Sequence, residues 1–455
     1  MAQTCTYGDA YRWCRRAAIF VFLMSIPSSE MLAQNGKRAN LDQVSEFPAT
    51  KVNAPLPEWV QFGGEYRLRF EDHTAYKFVP GADDAFALSR LRLHLSLYPK
   101  TWFSVLLQAQ DAHGLGTDSS HVTSSIYDAM DFRQGYVQVV PVRWMRLRAG
   151  RQELRFGGQR LVGVSEWSNT GRVFDGFRMT VGSEKQHVDL FSTSVVVNYL
   201  TDFDNHVGGL TFHGAYGSLA GIVPKATVEP YLIVKALPAV TSEEGKVGTE
   251  TLFVYGFRWT GTLKYGFDYT VEPVRQSGSY SNDDIASWGA YAIAGYTESR
   301  IPTKPRVFAQ YDYASGDRGL KDGRIGTFDQ LYPSSHGIFG LVDLLGWRNL
   351  RQVRGGVEVN PRRTIKATFD FRTLHLASEY DGLYGSTSSV LVKAPKNGAL
   401  ATDVGKEVDA SLRFVARRNV EIGAGYGHLF AGNFLKQNSP GSSASLGYTF
   451  ATYRF

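Results

Sequence analysis

The chain has 455 residues, with 49 Lys and Arg against 43 Asp and Glu, and a formal net charge of +6. Its basic residues are spread along the chain, which argues against a nucleic-acid partner, because such proteins gather Lys and Arg on one face or tail. Phe, Tyr and Gly are abundant at 28, 24 and 47 residues. Few segments keep a helical apolar period, so we expect an all-β fold.

The N-terminus has the pattern of a secretory signal peptide, residues 1–33. A basic stretch precedes the apolar run 17–26, and a polar stretch ending at Ala33 follows. The apolar run is too short to span a bilayer as a helix. Residues 34–57 are then expected to be an N-terminal linker, and residues 58–455 the main domain.

Both cysteines of the chain, Cys5 and Cys14, lie inside the predicted signal peptide. The mature protein is therefore expected to have no disulfide, no zinc-thiolate site and no cysteine nucleophile.

Several later segments alternate apolar and polar residues with a period of two. In SRLRLHLSLYPK (89–100), Leu91, Leu93 and Leu95 share one face. Arg90 and Arg92 lie on the other face. The same pattern recurs in 64–70, 265–272, 306–313, 364–372 and 407–414. A strand with one apolar and one charged face fits either a membrane barrel or a soluble sandwich.

The lengths of the connections favour the barrel. Short turns, some of them marked by Pro or basic residues, fall in 97–103, 139–145, 359–365 and 415–421, whereas long polar connections fall in 72–87, 112–130 and 376–405. Tight periplasmic turns and long extracellular loops are typical of outer-membrane barrels. Trp102 and Trp144 follow two of the short turns, where an aromatic girdle would lie.

We therefore predict a transmembrane antiparallel β-barrel of about 18 strands (16–18) in the bacterial outer membrane, surrounded by lipid and lipopolysaccharide. The aromatic residue Phe455 ends the last strand, as in many bacterial outer-membrane proteins. A barrel of this size can enclose an aqueous lumen.

The stretch RLRAGRQELRFGGQRLVGVSEWSNTGRVFDG (146–176) contains six arginines and only three acids. Arginines on a lumen wall favour anions, because a guanidinium stays charged and binds carboxylates in a forked geometry. The alternative is that these arginines pair with acids of other strands and only hold the wall together. The predicted solute path comprises Arg67, Arg69, Arg90, Arg92, Arg146, Arg148, Arg151, Arg155, Arg160, Arg306, Arg354, Arg372, Asp268, Asp312 and Asp370.

This stretch, together with GTFDQLYPSSHGIFGLVDLLGWRN (326–349), resembles the alginate-export family of outer-membrane β-barrels. The resemblance implies an 18-stranded barrel whose arginine-lined lumen lets an acidic polysaccharide pass passively. By motif it assigns Arg148, Arg151 and Arg155 to that lumen. The sequence departs from the family pattern by adding Arg160 and lacking an acidic cluster, so anions other than alginate stay open.

Two functions are therefore carried forward: passage of an acidic, alginate-like polysaccharide, with possible periplasmic secretion or assembly partners, and uptake of small organic anions. An enzyme is not expected, because the chain has no HExxH or GxSxG motif. We expect no cofactor and no metal; the aspartates of 312–324 fit an Asp/Gly turn better than a calcium loop. Gly423, Gly425 and Gly427 are expected to form a column without side chains on the lumen face.

The connection 315–349 is too long and too apolar for a simple hairpin loop. We predict that it folds into the barrel mouth as a constriction, with a short helical turn in 337–347. It is expected to carry five charged residues toward the solute: Asp317, Arg318, Lys321, Asp322 and Arg324. The alternative is a cap that packs on neighbouring loops outside the pore.

Overall fold

The computed structural model describes residues 50–118, 122–319 and 321–455. The predicted signal peptide, 1–33, and most of the predicted linker, 34–57, lie outside the described residues. Helix α1, Thr50–Asn53, is a single turn that precedes the first strand.

Eighteen antiparallel strands form one closed sheet, as the sequence predicted. The strands are β1 (Val60–Thr74), β2 (Asp84–Lys100), β3 (Phe103–Leu115), β4 (Asp128–Val142), β5 (Met145–Gln152), β6 (Phe174–Gly182), β7 (Gln186–Val197), β8 (Thr211–Ala220), β9 (Ala226–Thr241), β10 (Val247–Thr262), β11 (Phe267–Tyr280), β12 (Asp283–Thr297), β13 (Arg306–Ala314), β14 (Leu350–Arg362), β15 (Ile365–Leu376), β16 (Asp403–Arg417), β17 (Val420–Ala431) and β18 (Ala444–Arg454). Each strand pairs with the next, and β18 pairs with β1, with Tyr453 opposite Tyr66. This last pairing closes the barrel and leaves no open sheet edge.

The remaining elements are short. They comprise helix α2 (Asn433–Asn438), the 3-10 turns Tyr76–Phe78 and Lys264–Gly266, and the extended segments Asn205–His206, Arg324–Ile325, Leu383–Tyr384 and Val390–Val392. Among the described helices, none is both long enough and apolar enough to cross a membrane.

The connections show the predicted asymmetry. Residues 101–102, 143–144, 363–364 and 418–419 form two-residue turns at one end of the barrel. Trp102 and Trp144 lie at two of these turns and are 53% and 51% exposed. Long connections at the other end comprise 75–83, 116–127, 153–173, 315–349 and 377–402. The confirmed pattern identifies the tight turns as periplasmic and the long loops as extracellular.

Side chains alternate across the wall. Arg90 and Arg92 of β2 are buried inside the barrel. The residues that follow each of them, Leu91 and Leu93, are partly exposed on the outside. Phe369 of β15 is likewise exposed on the outside. The outer face is therefore the apolar one, as expected for strands in contact with lipid.

One side of the interior is apolar, which the alternation of the charged strands did not predict. Its buried residues on β6 to β11 include Phe174, Phe191, Phe212, Tyr231, Ile233, Leu252, Val254 and Val274. They pack against two extracellular connections that enter the barrel, named here the first inward loop (153–173) and the second inward loop (315–349). Apolar side chains are stable on this inner wall because the loops cover them.

Candidate functional site

The two inward loops are joined to each other by backbone hydrogen bonds. The Gly163 amide donates to the Tyr332 carbonyl at 2.8 Å, and the Tyr332 amide donates to the Leu161 carbonyl at 2.9 Å. The Arg172 guanidinium also donates to the Pro333 carbonyl at 2.8 Å. These bonds satisfy polar backbone groups away from the wall and make the two loops one body inside the lumen.

The wall holds the second inward loop through charged groups. The Leu341 amide donates to the carboxylate of Asp409, and the Val342 amide donates to Glu407 at 3.0 Å, both on β16. On the opposite side, Lys235 of β9 pairs with Asp329 of the loop. Burial opposes ionisation of Asp329, but Lys235 outweighs it and holds the pKa of that carboxyl at about 2. The loop is thus anchored at two sides of the barrel.

An aromatic stack marks the junction of the two loops. The rings of Trp167 and His336 are 3.5 Å apart and almost parallel. The guanidinium of Arg69, from β1, lies 3.8 Å from the Trp167 ring centroid. Both faces of the indole are therefore covered, and the stack ties the first inward loop to the second and to the wall.

A cavity of about 780 Å³ remains between the inward loops and the wall. Its lining comes from β1, β2 and β15 to β18 together with both loops, and we call it the lumen cavity. The lining includes the charged residues Glu65, Arg67, Arg69, Glu71, Arg90, Glu166, Arg172, Asp343, Lys366, Arg413, Glu421 and Arg454. This is the site at which a solute in the lumen would meet both charges and loops.

Five inward arginines of β1, β2 and β4 surround the first inward loop. They are Arg67, Arg69, Arg90, Arg92 and Arg133. The Glu166 carboxylate lies 2.6 Å from Arg90 and 2.7 Å from Arg92, and Arg133 lies 2.5 Å from Glu153. Burial would raise the pKa of Glu166, but Arg90 and then Arg92 outweigh it and hold that pKa well below its usual value. Glu166 therefore stays ionised at neutral pH.

Other predicted path residues point inward and pair with acids of the wall. Arg306 donates to both oxygens of Asp268, and Arg354 to both oxygens of Asp370. Arg160 of the first inward loop lies 2.6 Å from Asp312. Arg372 lies between Asp370 and Asp409, at 2.6 and 2.5 Å. For Arg160, which lies in the acid-poor stretch 146–176, the structure thus supplies an acid from a strand that is distant in the sequence.

Arg148 and Arg146 share the inner face of β5. Arg148 lies 4.2 Å from the centroid of the Tyr136 ring and donates to the Gln138 amide oxygen at 2.8 Å. Arg148 is buried and Arg146 partly exposed. Neither residue is among those lining the lumen cavity.

Arg151 differs from its prediction. It occupies the face of β5 opposite to Arg148, and its guanidinium donates to both oxygens of Asp175 on β6. Phe177, two residues from Asp175, is exposed on the outer surface. Since side chains two residues apart share a face, Arg151 belongs to the outer face near the extracellular rim and not to the solute path. Arg155 lies in the first inward loop and pairs with Glu153 at 2.8 Å.

The charged residues of the second inward loop also differ from their prediction. Arg318, Lys321, Asp322 and Arg324 are exposed at the extracellular rim, where Arg324–Ile325 pairs with the beginning of β12. Asp317 is buried and accepts backbone amides of its own turn. The apolar part after residue 326 enters the lumen instead, because it buries side chains that the charged part lacks. Residues 337–347 form turns and no helix.

Sequence reasoning missed the residues that join loop to wall. Glu166, Trp167, His336 and Arg133 were not proposed as site residues. The sequence does contain a feature that points to them. The apolar run LVGV (161–164) is followed directly by SEW (165–167), and so many apolar residues are unusual in a loop that is surrounded by water.

A group of three carboxylates was missed as well. Asp128 and Asp131 of β4 and Asp204 of the loop after β7 place oxygens within 4.8 Å of one another. Hard oxygen ligands of this kind are those that calcium prefers. It is the one group of three potential metal ligands found in the described part of the chain.

The comparisons with known proteins give a family and a fold. Residues 58–449 match the family described as Alginate export. Acinetobacter baumannii OccAB2 has a similar crystal structure, with a TM-score of 0.62, 10% identity, and coverage of 87% of this chain and 98% of that one. Pseudomonas aeruginosa OpdO is similar with a TM-score of 0.58, 13% identity, and coverage of 89% and 99%.

The outer membrane protein opdK of P. aeruginosa is similar with a TM-score of 0.58, 10% identity, and coverage of 87% and 98%. No curated protein sequence matches the chain. The family and the fold are those of outer-membrane channels and porins, which are not enzymes.

Proposed function

Because the chain belongs to the alginate export family, we propose that it is a passive outer-membrane channel for acidic, alginate-like saccharides. The observation that carries the proposal is the cluster of inward arginines beside the lumen cavity. Arg67 is its most informative member, since its guanidinium donates to the Glu166, Trp167 and Ser168 carbonyls. These oxygens carry no full negative charge, so Arg67 leaves positive potential in the cavity.

The chemistry of uronate polymers suits such a cavity. Each sugar unit carries one carboxylate, and a guanidinium binds a carboxylate through two parallel hydrogen bonds. The lining carries charges of both signs, because acids such as Glu65 and Asp343 lie in it together with the basic groups. A solute that binds with moderate affinity at several positions moves through a channel faster than one that binds tightly at a single site.

A second candidate is the uptake of small organic anions, and the size of the cavity favours it. Two inward loops fill much of the interior and leave about 780 Å³. A space of this order holds a molecule of small-ligand size. With the loops in this arrangement, small carboxylates fit more readily than a long chain, and both solutes would use the same arginines.

The test is conductance of the purified protein in planar bilayers, with a potassium chloride gradient. We expect a preference for chloride in the parent, and Arg67→Gln should lower the chloride-to-potassium permeability ratio roughly twofold. Arg300→Gln is the matched control, because Arg300 is 86% exposed in a periplasmic turn and pairs with Glu298. Equal ratios in the parent and Arg67→Gln would contradict the proposed role of the arginine cluster.

Oligomers of alginate, added to one side, separate the two candidate functions. An acidic-saccharide channel should show current blockades whose duration rises with oligomer length, since more carboxylates then meet the arginines. An uptake porin should conduct acetate or succinate and show no effect of the oligomers.

A further inference from the structure

The contact between Glu166 and the wall has the geometry of a bound carboxylate ligand. We propose that Arg67, Arg90 and Arg92 form a carboxylate-binding site of the lumen, and that Glu166 occupies this site as a tethered competitor of the solute. The site would take the carboxylate of a sugar acid. The inference rests on the proposed anion pathway and adds to it the residue that the anion must displace.

The Glu166 carboxylate makes hydrogen bonds to the arginines with only one of its two oxygens. Its Oε1 atom accepts hydrogen bonds from Arg90 Nη2 at 2.6 Å and from Arg92 Nη1 at 2.7 Å. Its Oε2 atom is buried and has no hydrogen-bond partner among the described residues, and the same is true of Arg92 Nη2. A solute carboxylate that is not tied to a loop can present both oxygens to one guanidinium, which is the stronger arrangement.

The Glu166 side chain can leave without the loop moving. Arg67 holds the loop through its backbone, with its Nη1 atom 2.8 Å from the Glu166 carbonyl oxygen. Trp167, the next residue, is fixed between Arg69 and His336. The Glu166 side chain itself is 41% exposed and lines the lumen cavity. Exchange therefore needs only a rotation of one side chain, which is a fast motion.

The two arginines keep partial compensation when Glu166 leaves. Arg90 also contacts Glu65 at 2.6 Å, and Arg92 also donates its Nε–H to Gln110 at 2.7 Å. The departing carboxylate is replaced by the incoming one, so the net charge of the site is unchanged. The free-energy cost of entry is thus low for an anion. A neutral sugar that displaced Glu166 would leave the guanidiniums of Arg90 and Arg92 without this carboxylate partner.

The test measures block of the chloride current by sodium glucuronate, with glucose as the neutral comparison, in parent, Glu166→Gln and Glu153→Gln channels. We expect glucuronate to bind at least about fivefold more tightly to Glu166→Gln than to the parent, because a tethered competitor acts at a high effective concentration. Glu153→Gln is the matched control. It removes one negative charge from the same loop, but its partners are Arg133 and Arg155.

Equal half-blocking concentrations in Glu166→Gln and the parent, or equal gains in both variants, would overturn the inference. The outcome is separate from that of the proposed function, which fails if the parent itself prefers potassium. In that case the difference between the two Gln variants still tests competition by Glu166.

A second measurement switches the charge in a channel that has already folded. In Glu166→Cys, modification with a sulfonate-bearing methanethiosulfonate should weaken glucuronate block toward the parent value. A neutral methanethiosulfonate of similar size should leave block strong. Equal effects of the two reagents would mean that size, and not charge, decides binding, which overturns the inference.

Discussion

Buried charged residues of this barrel are stabilised in two different ways. Arg354 and Arg372 are matched by carboxylates, so their charges are compensated where they lie. Arg67 and Arg172 instead donate to carbonyl oxygens. Burial lowers the pKa of Arg172 to about 10, which still leaves it charged at neutral pH. Positive potential in the lumen therefore comes from the second group, and ion pairs of the first group mainly hold the wall and loops.

The carboxyl group of Asp204 is expected to make the local stability of its loop depend on pH. Burial first, and then the nearby Asp128 and Asp131, raise the pKa of Asp204 to about 7, although the Tyr199 amide opposes the shift. A carboxyl with a raised pKa binds its proton more tightly when folded, so its contribution to stability is lost as pH rises from about 4 to about 7. In EDTA, hydrogen exchange of residues 198–206, corrected for intrinsic rates, should be slower at pH 5 than at pH 8.

Asp204→Asn should remove most of this pH dependence. Asp202→Asn, at an exposed position of the same loop, is the control and should keep it. Persistence of the parental pH dependence in Asp204→Asn would show that another group is responsible.

At the scale of single strands, β5 and β6 are shaped by a pair of glycines. Gly150 and Gly176 face each other across the two strands, with φ of +123° and +147°. A Cβ at Gly150 would collide with the Gly135 carbonyl oxygen. Residues other than glycine rarely adopt such angles. The two glycines lie next to the point where the chain leaves the wall to form the first inward loop.

Gly150→Ala should therefore destabilise the barrel by about 1–3 kcal/mol, through strain and overpacking. Gly135→Ala on the neighbouring strand is the control, because a Cβ there would have its nearest contact at 3.9 Å, with Leu107. We expect it to change the free energy of unfolding by less than about 0.5 kcal/mol. Reversible urea unfolding in detergent or lipid measures the free energy of unfolding of both variants. Equal values for Gly150→Ala and Gly135→Ala would contradict the role of Gly150.

The strands were predictable because their signal is local. A period of two over eight residues determines which face of β2 carries Arg90 and Arg92, and the turn residues determine where β2 ends. The same rule places Arg151 opposite Arg148, so its assignment to the lumen by resemblance conflicted with the residues themselves. Gly425 was expected to leave room on the lumen face for a neighbour or a solute, and in the structure the Tyr448 ring occupies the space beside it.

The contacts inside the lumen were not predictable in the same way. Arg67 and Glu166 are 99 residues apart in the chain, and Arg160 and Asp312 are 152 apart. No short-range pattern determines such pairs, because they form only after the barrel has closed and the loops have entered it. For the second inward loop, the prediction from charge was wrong: the apolar half of the loop lies in the lumen, and the charged half lies at the extracellular rim.

The whole molecule is a barrel with its interior partly filled by its own extracellular loops. On the side of β6 to β11, apolar wall residues and apolar loop residues cover each other. The open space lies on the side of β1, β2 and β15 to β18. Conductance should then be limited by the loops and not by the width of an 18-stranded wall.

Replacing residues 328–346 with a short Gly/Ser linker tests this directly. The replaced segment contains Phe328, Phe339 and Leu345, which are buried in the lumen. Its removal should raise single-channel conductance severalfold, because ion flow increases with the open cross-section. The control replaces only residues 318–324 at the rim and should leave conductance unchanged, since Gly326 remains bound to Ser315 at 2.8 Å. Both variants must show heat-modifiable mobility on gels, and a folded 328–346 variant with parental conductance would mean that the second inward loop does not constrict the path.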